Sequence, residues 1–274
     1  MVEKTESFAR NFHREDEITC IFANNDLQNI SVFAYDTVDS TNTRAKLFAK
    51  SCVAGISPAI FISRAQSAGR GTRARTFESP DGAGLYMSLL FPENMLNSDP
   101  IYLTSYAALT VSRAISLLSD GKIEPKIKWV NDIVIADKKL AGILTEASLS
   151  DSGEKFFIVG IGINLMTANH SNEVLGLMTS LSEHGVEIDT YELAASITRA
   201  FFSSLGEFGS PKITEEYKSL SSLISRRVCI TGTDCGCVGT AIDIDENRAI
   251  VIKLDDGSIK KYFSGDASIR PTGD

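Results

Sequence analysis

The sequence has little of what several function classes require. Its three histidines, His13, His170 and His184, sit in weakly patterned segments without a triad partner, so a Ser/His/Asp relay has little support. Five cysteines (Cys20, Cys52, Cys229, Cys235, Cys237) are an odd number in a chain large enough to build a core, which reads as reduced thiols in a cytoplasm. Cys229, Cys235 and Cys237 cluster, but neither a second C-x-x-C pair nor a nearby histidine completes a zinc set, and no protein-borne metal cluster is expected. The longest apolar stretches resemble residues 156–165, ten residues, too short to span a bilayer. Residues 1–16 are polar and charged, with no apolar h-region of a secretory signal. Basic stretches interleaved with aromatics are missing, and 27 basic against 35 acidic residues leave a net charge of −8, which disfavours nucleic acid as a partner. The G-x-x-x-x-G-K-[ST] phosphate loop is absent as well.

What is present fits one large domain and one small one in 274 residues, of ordinary soluble composition. Residues 1–31 read as an arm or short lead-in. Residues 32–222 hold strands at 32–35, 58–63, 84–91, 127–135, 140–147 and 156–165. Helices are expected from Ser40-Thr41-Asn42 to about Ala54, over 102–118, from the box-like Asp189…Glu192 to about Phe208, and over 213–220. Ser or Thr side chains are expected to cap the first helix. Residues 223–274 change texture: short strands at 228–231, 239–244, 249–254 and 259–263 alternate with turns, Asp256-Gly257 being a strong hairpin signal. The fold class is α+β, a mixed sheet with flanking helices followed by a small β unit.

Three stretches carry chemistry. Positive charge clusters at Arg64, Arg70, Arg73 and Arg75 around Gly69 and Gly71, with no acid among them. Glycines bring backbone N–H groups close to an anion, and arginines give bidentate bonds to phosphate or carboxylate. The alternative is a solvated basic loop. In Lys128-Trp129-Val130-Asn131-Asp132 the lysine sits in or beside an apolar strand, where it calls for an anionic partner or guards a sheet edge. Asn131-Asp132 could equally be a turn. Gly160-Ile161-Gly162 is no dinucleotide fingerprint, because its glycines lie within a strand pattern; such glycines let another group approach closely.

Together, AGRGTRARTFESPDGAGLYMSLLF, KWVNDIVIADKKLAGILTE and VGIGINL resemble the biotin–protein ligases in order and spacing. The likeness runs over about residues 32–270 and includes the triplet Ser40-Thr41-Asn42. It implies a class II synthetase-like mixed-sheet catalytic domain followed by an SH3-like barrel. It implies ATP and biotin as substrates, Mg²⁺ as cofactor, and the biotin carboxyl carrier domain of a carboxylase as acceptor. Carried over residue by residue, Ser40, Thr41, Asn42, Gln66, Gly69, Arg70, Gly71, Gly142, Leu144, Gly160 and Gly162 should surround biotin. Lys128 should meet the biotin carboxylate and α-phosphate, with Arg70 and Arg73 as further catalytic cations, so that Lys128→Ala is expected to abolish adenylate formation. Arg70, Arg73, Arg75, Phe77, Lys128, Asn131 and Asn164 should hold the nucleotide. Two departures stand out: Thr72 replaces a loop arginine common in the family, and Phe77 an aromatic that is usually tryptophan.

The resemblance allows a monomer or a homodimer through an exposed sheet edge. The short, unpatterned stretch before Val32 leads us to expect no helix-turn-helix and no repressor function. The competing readings are a lipoate- or octanoyl-transferring enzyme of the same architecture, a non-catalytic binding module, and a DNA-binding repressor.

Overall fold

The computed structural model describes residues 21–22, 27, 29–52, 55–72, 75–167, 176–231, 237–263 and 268–272. The large unit is built on a seven-stranded mixed sheet. β1 (Ser31–Val38) runs parallel to β2 (Ala59–Gln66), joined through helix α1 (Thr41–Ser51). Beside β2 lie β3 (Gly84–Pro92), β7 (Lys155–Asn164), β6 (Lys138–Leu149), β5 (Asp132–Ile135) and β4 (Lys126–Lys128), each antiparallel to its neighbour.

Alternation along the strands sorts side chains between two layers. Phe61, Leu90, Phe156 and Ile158 pack with Ala45 and Ala49 of α1. Ile60, Ile62, Leu89 and Phe91 instead join the main core with α2 (Leu103–Leu118), α3 (Thr190–Ser203) and α4 (Pro211–Ser219). β3 is therefore buried at every position, which is why it reads as a continuous apolar run. Each large side chain so buried contributes about 1.5–3 kcal/mol. The stretch Pro100–Leu118 is, by length and composition, apolar enough to cross a membrane, longer than the ten-residue runs noted in the sequence. Here it is a core helix: 11 of the 16 residues of α2 are buried.

Several local expectations need correction. Ser40 stands at the N-cap of α1 but makes no side-chain capping bond. Its place is taken by Gln66 Oε1 of β2, which accepts the Thr41 N–H at 2.9 Å, while the adjacent Asp39 Oδ1 accepts the Ser40 N–H at 2.7 Å. Asp189 does cap α3, accepting the N–H groups of Tyr191 (2.9 Å) and Glu192 (3.0 Å), but the helix stops at Ser203 rather than Phe208. Residues 127–135 are not one strand. The chain turns at Trp129–Asn131 and returns as β5, antiparallel to β4. Within residues 1–31, read as an arm or short lead-in, Phe22 and Leu27 are buried in the main core.

The C-terminal unit is a five-stranded antiparallel sheet: β8 (Arg227–Thr231), β9 (Val238–Ile244), β10 (Ile250–Leu254), β11 (Ile259–Tyr262) and β12 (Ser268–Pro271), ordered β11-β10-β9-β8-β12. Gly257, with φ of 86°, makes the turn between β10 and β11. β12 had no clear signal in the sequence. It is an edge strand, where Pro271 can close it because no donor is needed on the outer side. Val228, Ile230, Ile250 and Ile252 continue the main core, and Arg226 holds Asp137 of the β5–β6 turn at 2.6 and 2.9 Å.

Candidate active site

The site lies on the α1 side of the sheet, where large side chains would be expected and are missing. Cross-strand pairing aligns Ser88, Gly160 and Leu144 in one row, and Tyr86, Gly162, Gly142 and Asp132 in the next. Three glycines in those rows clear a cleft of about 470 Å³, part of it open to solvent. The vacated space is used by neighbours. A Cβ on Gly160 would lie 2.3 Å from Asn42 Oδ1, and one on Gly162 would lie 2.5 Å from the Phe77 ring. A Cβ on Gly142 would lie 3.0 Å from Lys139 Nζ. These glycines thus sit inside a strand and admit a close approach, as their pattern suggested.

One wall is the start of α1. Ser40, Thr41 and Asn42 are 3% exposed and line the cleft. Thr41 Oγ1 lies 3.3 Å from Gln66 Oε1, and Ser88 Oγ lies 2.8 Å from Thr41 Oγ1 and 2.6 Å from Asn42 Oδ1. Asn42 Nδ2 donates to Glu146 Oε2 at 2.8 Å. Buried polar groups this well connected are held in fixed orientation, which is what recognition of a small polar ring requires.

The opposite wall is the basic loop. It folds back on itself: Phe77 N–H donates to Gly69 O (3.0 Å), Gly71 N–H to Arg75 O (2.7 Å), and Gln66 bridges to Ser79. Gly69 supports the fold from outside the lining, since a Cβ there would lie 2.3 Å from Phe77 O. Arg70, Gly71, Thr72 and Phe77 face the cleft. Arg70 is fixed by Glu146, with Nη2 3.0 Å from Oε1 and Nη1 3.1 Å from Oε2. Arg75 is exposed and Arg73 lies outside the described residues.

The cationic end differs from the sequence reading. Lys139, which lies between the strands expected at 127–135 and 140–147, lines the cleft. Its Nζ lies 2.6 Å from Asp132 Oδ1 and 5.8 Å from the centre of the Phe77 ring. Lys128 is not in the lining. It ends β4, the outermost strand, opposite Asp132. Burial, only partly offset by Asp132, pushes its ammonium pKa below the ordinary 10.5. The folded state therefore disfavours its charge. Stability should rise with pH between the lowered folded value and 10.5, where the unfolded chain binds more protons. Lys128→Met is accordingly expected to raise the melting temperature at neutral pH, with the gain shrinking as pH climbs toward 10.5; a melting temperature that falls at neutral pH contradicts this.

Asn131 lines the cleft, its Nδ2 donating to Ile143 O at 2.9 Å. Asn164 lies outside the lining, its amide used on Thr179 O (3.1 Å) and Lys139 O (3.4 Å). Those bonds steady the backbone that presents Lys139. Glu146 and Ser88 were also missed. An acid in the apolar stretch Ile143–Ala147 and a serine in the buried run of β3 were the available signals.

Residues 34–164 match the biotin/lipoate A/B protein ligase family. The chain is 30% identical over 214 residues to the bifunctional ligase/repressor BirA of Escherichia coli, covering 76% of this chain and 65% of that protein. It is 28% identical to the biotin–[acetyl-CoA-carboxylase] ligase of Paracoccus denitrificans, covering 78% of this chain and 91% of that one. Its fold is similar, with a TM-score of 0.73 and 26% identity, to the biotin protein ligase of Aquifex aeolicus solved in complex with biotin and ATP, over 88% of this chain and 99% of that one. The chain thus spans just under two thirds of the length of the bifunctional relative. Residues 34–164, which carry the glycine-cleared cleft and its basic loop, form a domain of the biotin/lipoate A/B protein ligase family.

Proposed function

We propose that this protein is a biotin–protein ligase, which joins biotin to ATP as biotinyl-5′-AMP and passes biotin to a lysine of a biotin carboxyl carrier domain. The observation that carries the reading is the two-ended cleft. One end is a neutral wall of Ser40, Thr41 and Asn42 over a glycine floor, with Arg70 tied to Asn42 through Glu146; the other holds Lys139. Biotin has that shape, a neutral ureido ring at one end and a carboxylate at the other. Residues 32–222 form the catalytic domain and 223–274 the second unit, acting in the cytoplasm.

In the first step a biotin carboxylate oxygen attacks the α-phosphorus, the α–β anhydride bond breaks, and pyrophosphate leaves. Two anions must meet, so the main task is to offset their repulsion. We assign this to Lys139 and Arg70, with Arg73 a candidate from its place in the loop. This reading gives Lys139 the part that the family resemblance assigns to Lys128, because Lys139 and not Lys128 lines the cleft. Phe77 offers a ring face and no N–H to the adenine. Asn131 would help place the phosphates. In the second step the acceptor amine attacks the acyl carbon and AMP leaves. The loop's described residues, 66–72 and 75–79, would keep water from the anhydride meanwhile.

Mg²⁺ fits the residues present. Asn131 and Asp132 offer one amide oxygen and one carboxylate at the cationic end, the sparse donor set of a magnesium ion carried in with phosphates. Asn131 and Asp132 would hold it, and it would supply further neutralisation of phosphate charge.

Thr72 lies in the cleft where a third loop cation would stand. Thr72→Arg is expected to slow adenylate release by roughly tenfold, the worth of one added charge-assisted hydrogen bond. Stopped-flow release of biotinyl-5′-AMP measures it, and an unchanged rate refutes it. The function itself is tested by incubating an apo carrier domain with the protein, biotin and ATP. A mass gain of one biotin on a single lysine supports the reading; an unmodified carrier opposes it.

A further inference from the structure

Arg248 is an unusual residue for its position. It is 3% exposed and adopts a left-handed backbone with φ of 62°, a conformation that costs a non-glycine residue energy. Its Nη1 and Nη2 are buried without a hydrogen-bond partner. A buried, incompletely bonded guanidinium in a strained backbone is a poor choice for stability alone. What it touches lies in the other unit. Its Nε donates to Ser105 Oγ of α2 at 2.9 Å, and its guanidinium stands over the Tyr102 ring at 4.8 Å and the Tyr217 ring at 5.7 Å. Its backbone carbonyl accepts the indole N–H of Trp129 at 2.8 Å.

Tyr217, so engaged, donates its hydroxyl to Val130 O at 3.2 Å. Consecutive residues of one turn are thereby tied down: Trp129 by the carbonyl of Arg248, Val130 by α4, and then Asn131, which enters the cleft and is bonded to Ile143. We propose that Arg248 is a positioning residue, by which the C-terminal sheet clamps the Trp129–Asn131 turn and so sets Asn131 at the nucleotide end of the site. The side chain holds the β9–β10 turn against Tyr102, Tyr217 and Ser105, and the carbonyl then reaches Trp129. The inference rests on the ligase reading through the part Asn131 plays there.

Trp129 is the single tryptophan of the chain, so its fluorescence reports on this contact directly. Arg248→Gly keeps the carbonyl and tolerates the left-handed backbone, but removes the clamp. Tyr217→Phe removes only the hydroxyl bond to Val130 and serves if the first variant fails to fold. Expected for Arg248→Gly are a red-shifted Trp129 emission, easier quenching by acrylamide, and a KM for ATP raised about tenfold with the KM for biotin unchanged. Tyr217→Phe should raise the ATP KM in the same direction by less. A merely destabilised enzyme would lose active fraction, and hence apparent kcat, without this split. Unchanged quenching with unchanged ATP KM overturns the proposal. So does a changed Trp129 signal with no effect on ATP KM. Should the wild type show no biotin-dependent turnover, the ligase reading fails by itself, and the quenching comparison still decides whether the clamp exists.

Discussion

Lys139→Ala is expected to lower biotin-dependent exchange of pyrophosphate into ATP by about 10³-fold, the order seen when one preorganised charge stabiliser is removed from an active site. Lys139 Nζ is in the cleft, 2.6 Å from Asp132 and beside the Phe77 ring, so it is held in place before any anion arrives. No reorganisation is then needed when charge develops on the α-phosphate. Lys128→Ala should cost about tenfold or less, as expected of a charge acting outside contact distance. Steady-state exchange on both variants decides between them. A larger loss at Lys128 than at Lys139 would restore the sequence-based assignment and sink this one.

The second large effect is on the floor. Gly160→Ala places a methyl 2.3 Å from Asn42 Oδ1. An exposed side chain would swing away at small cost. Asn42 cannot, because it is 3% exposed and held by Ser88 at 2.6 Å and Glu146 at 2.8 Å. Moving it also disturbs Glu146, which fixes Arg70. One methyl therefore disturbs Asn42 and Arg70 together. The KM for biotin is expected to rise about 100-fold, the penalty of roughly an ångström of misplacement. Calorimetric titration with biotin checks it without turnover. Binding within a few fold of wild type would show that the wall re-forms around the methyl.

Much of this was legible in the sequence because it rests on local patterns. The run of β3, the stripe of α2 and the hairpin signal at Asp256-Gly257 each follow from periodicity or turn chemistry, and each is where it was expected. The glycines of β7 were legible for the same reason: within a strand they serve little except approach. The failures share a different cause. Gln66 caps α1 from 25 residues away in place of Ser40, and no local rule foresees a cap borrowed from another strand. The turn at Trp129–Asn131 is bonded to Arg248 and Tyr217, both far along the chain, so no local pattern announces it. Once residues 127–135 are taken as one strand, Lys128 looks embedded in the sheet. With the break in place it is an edge lysine, and Lys139, two strands over, faces the cleft. The sequence likeness picks out both lysine-bearing segments, and the three-dimensional register brings Lys139, not Lys128, to the cleft.

The central claim is that this cleft activates biotin with ATP. It is tested most directly by pyrophosphate–ATP exchange, with biotin and with lipoate in separate reactions. The account predicts exchange that depends on biotin, and none above background with lipoate. Exchange with lipoate and not with biotin would contradict it and assign the neutral wall of Ser40, Thr41 and Asn42 to a different acyl group.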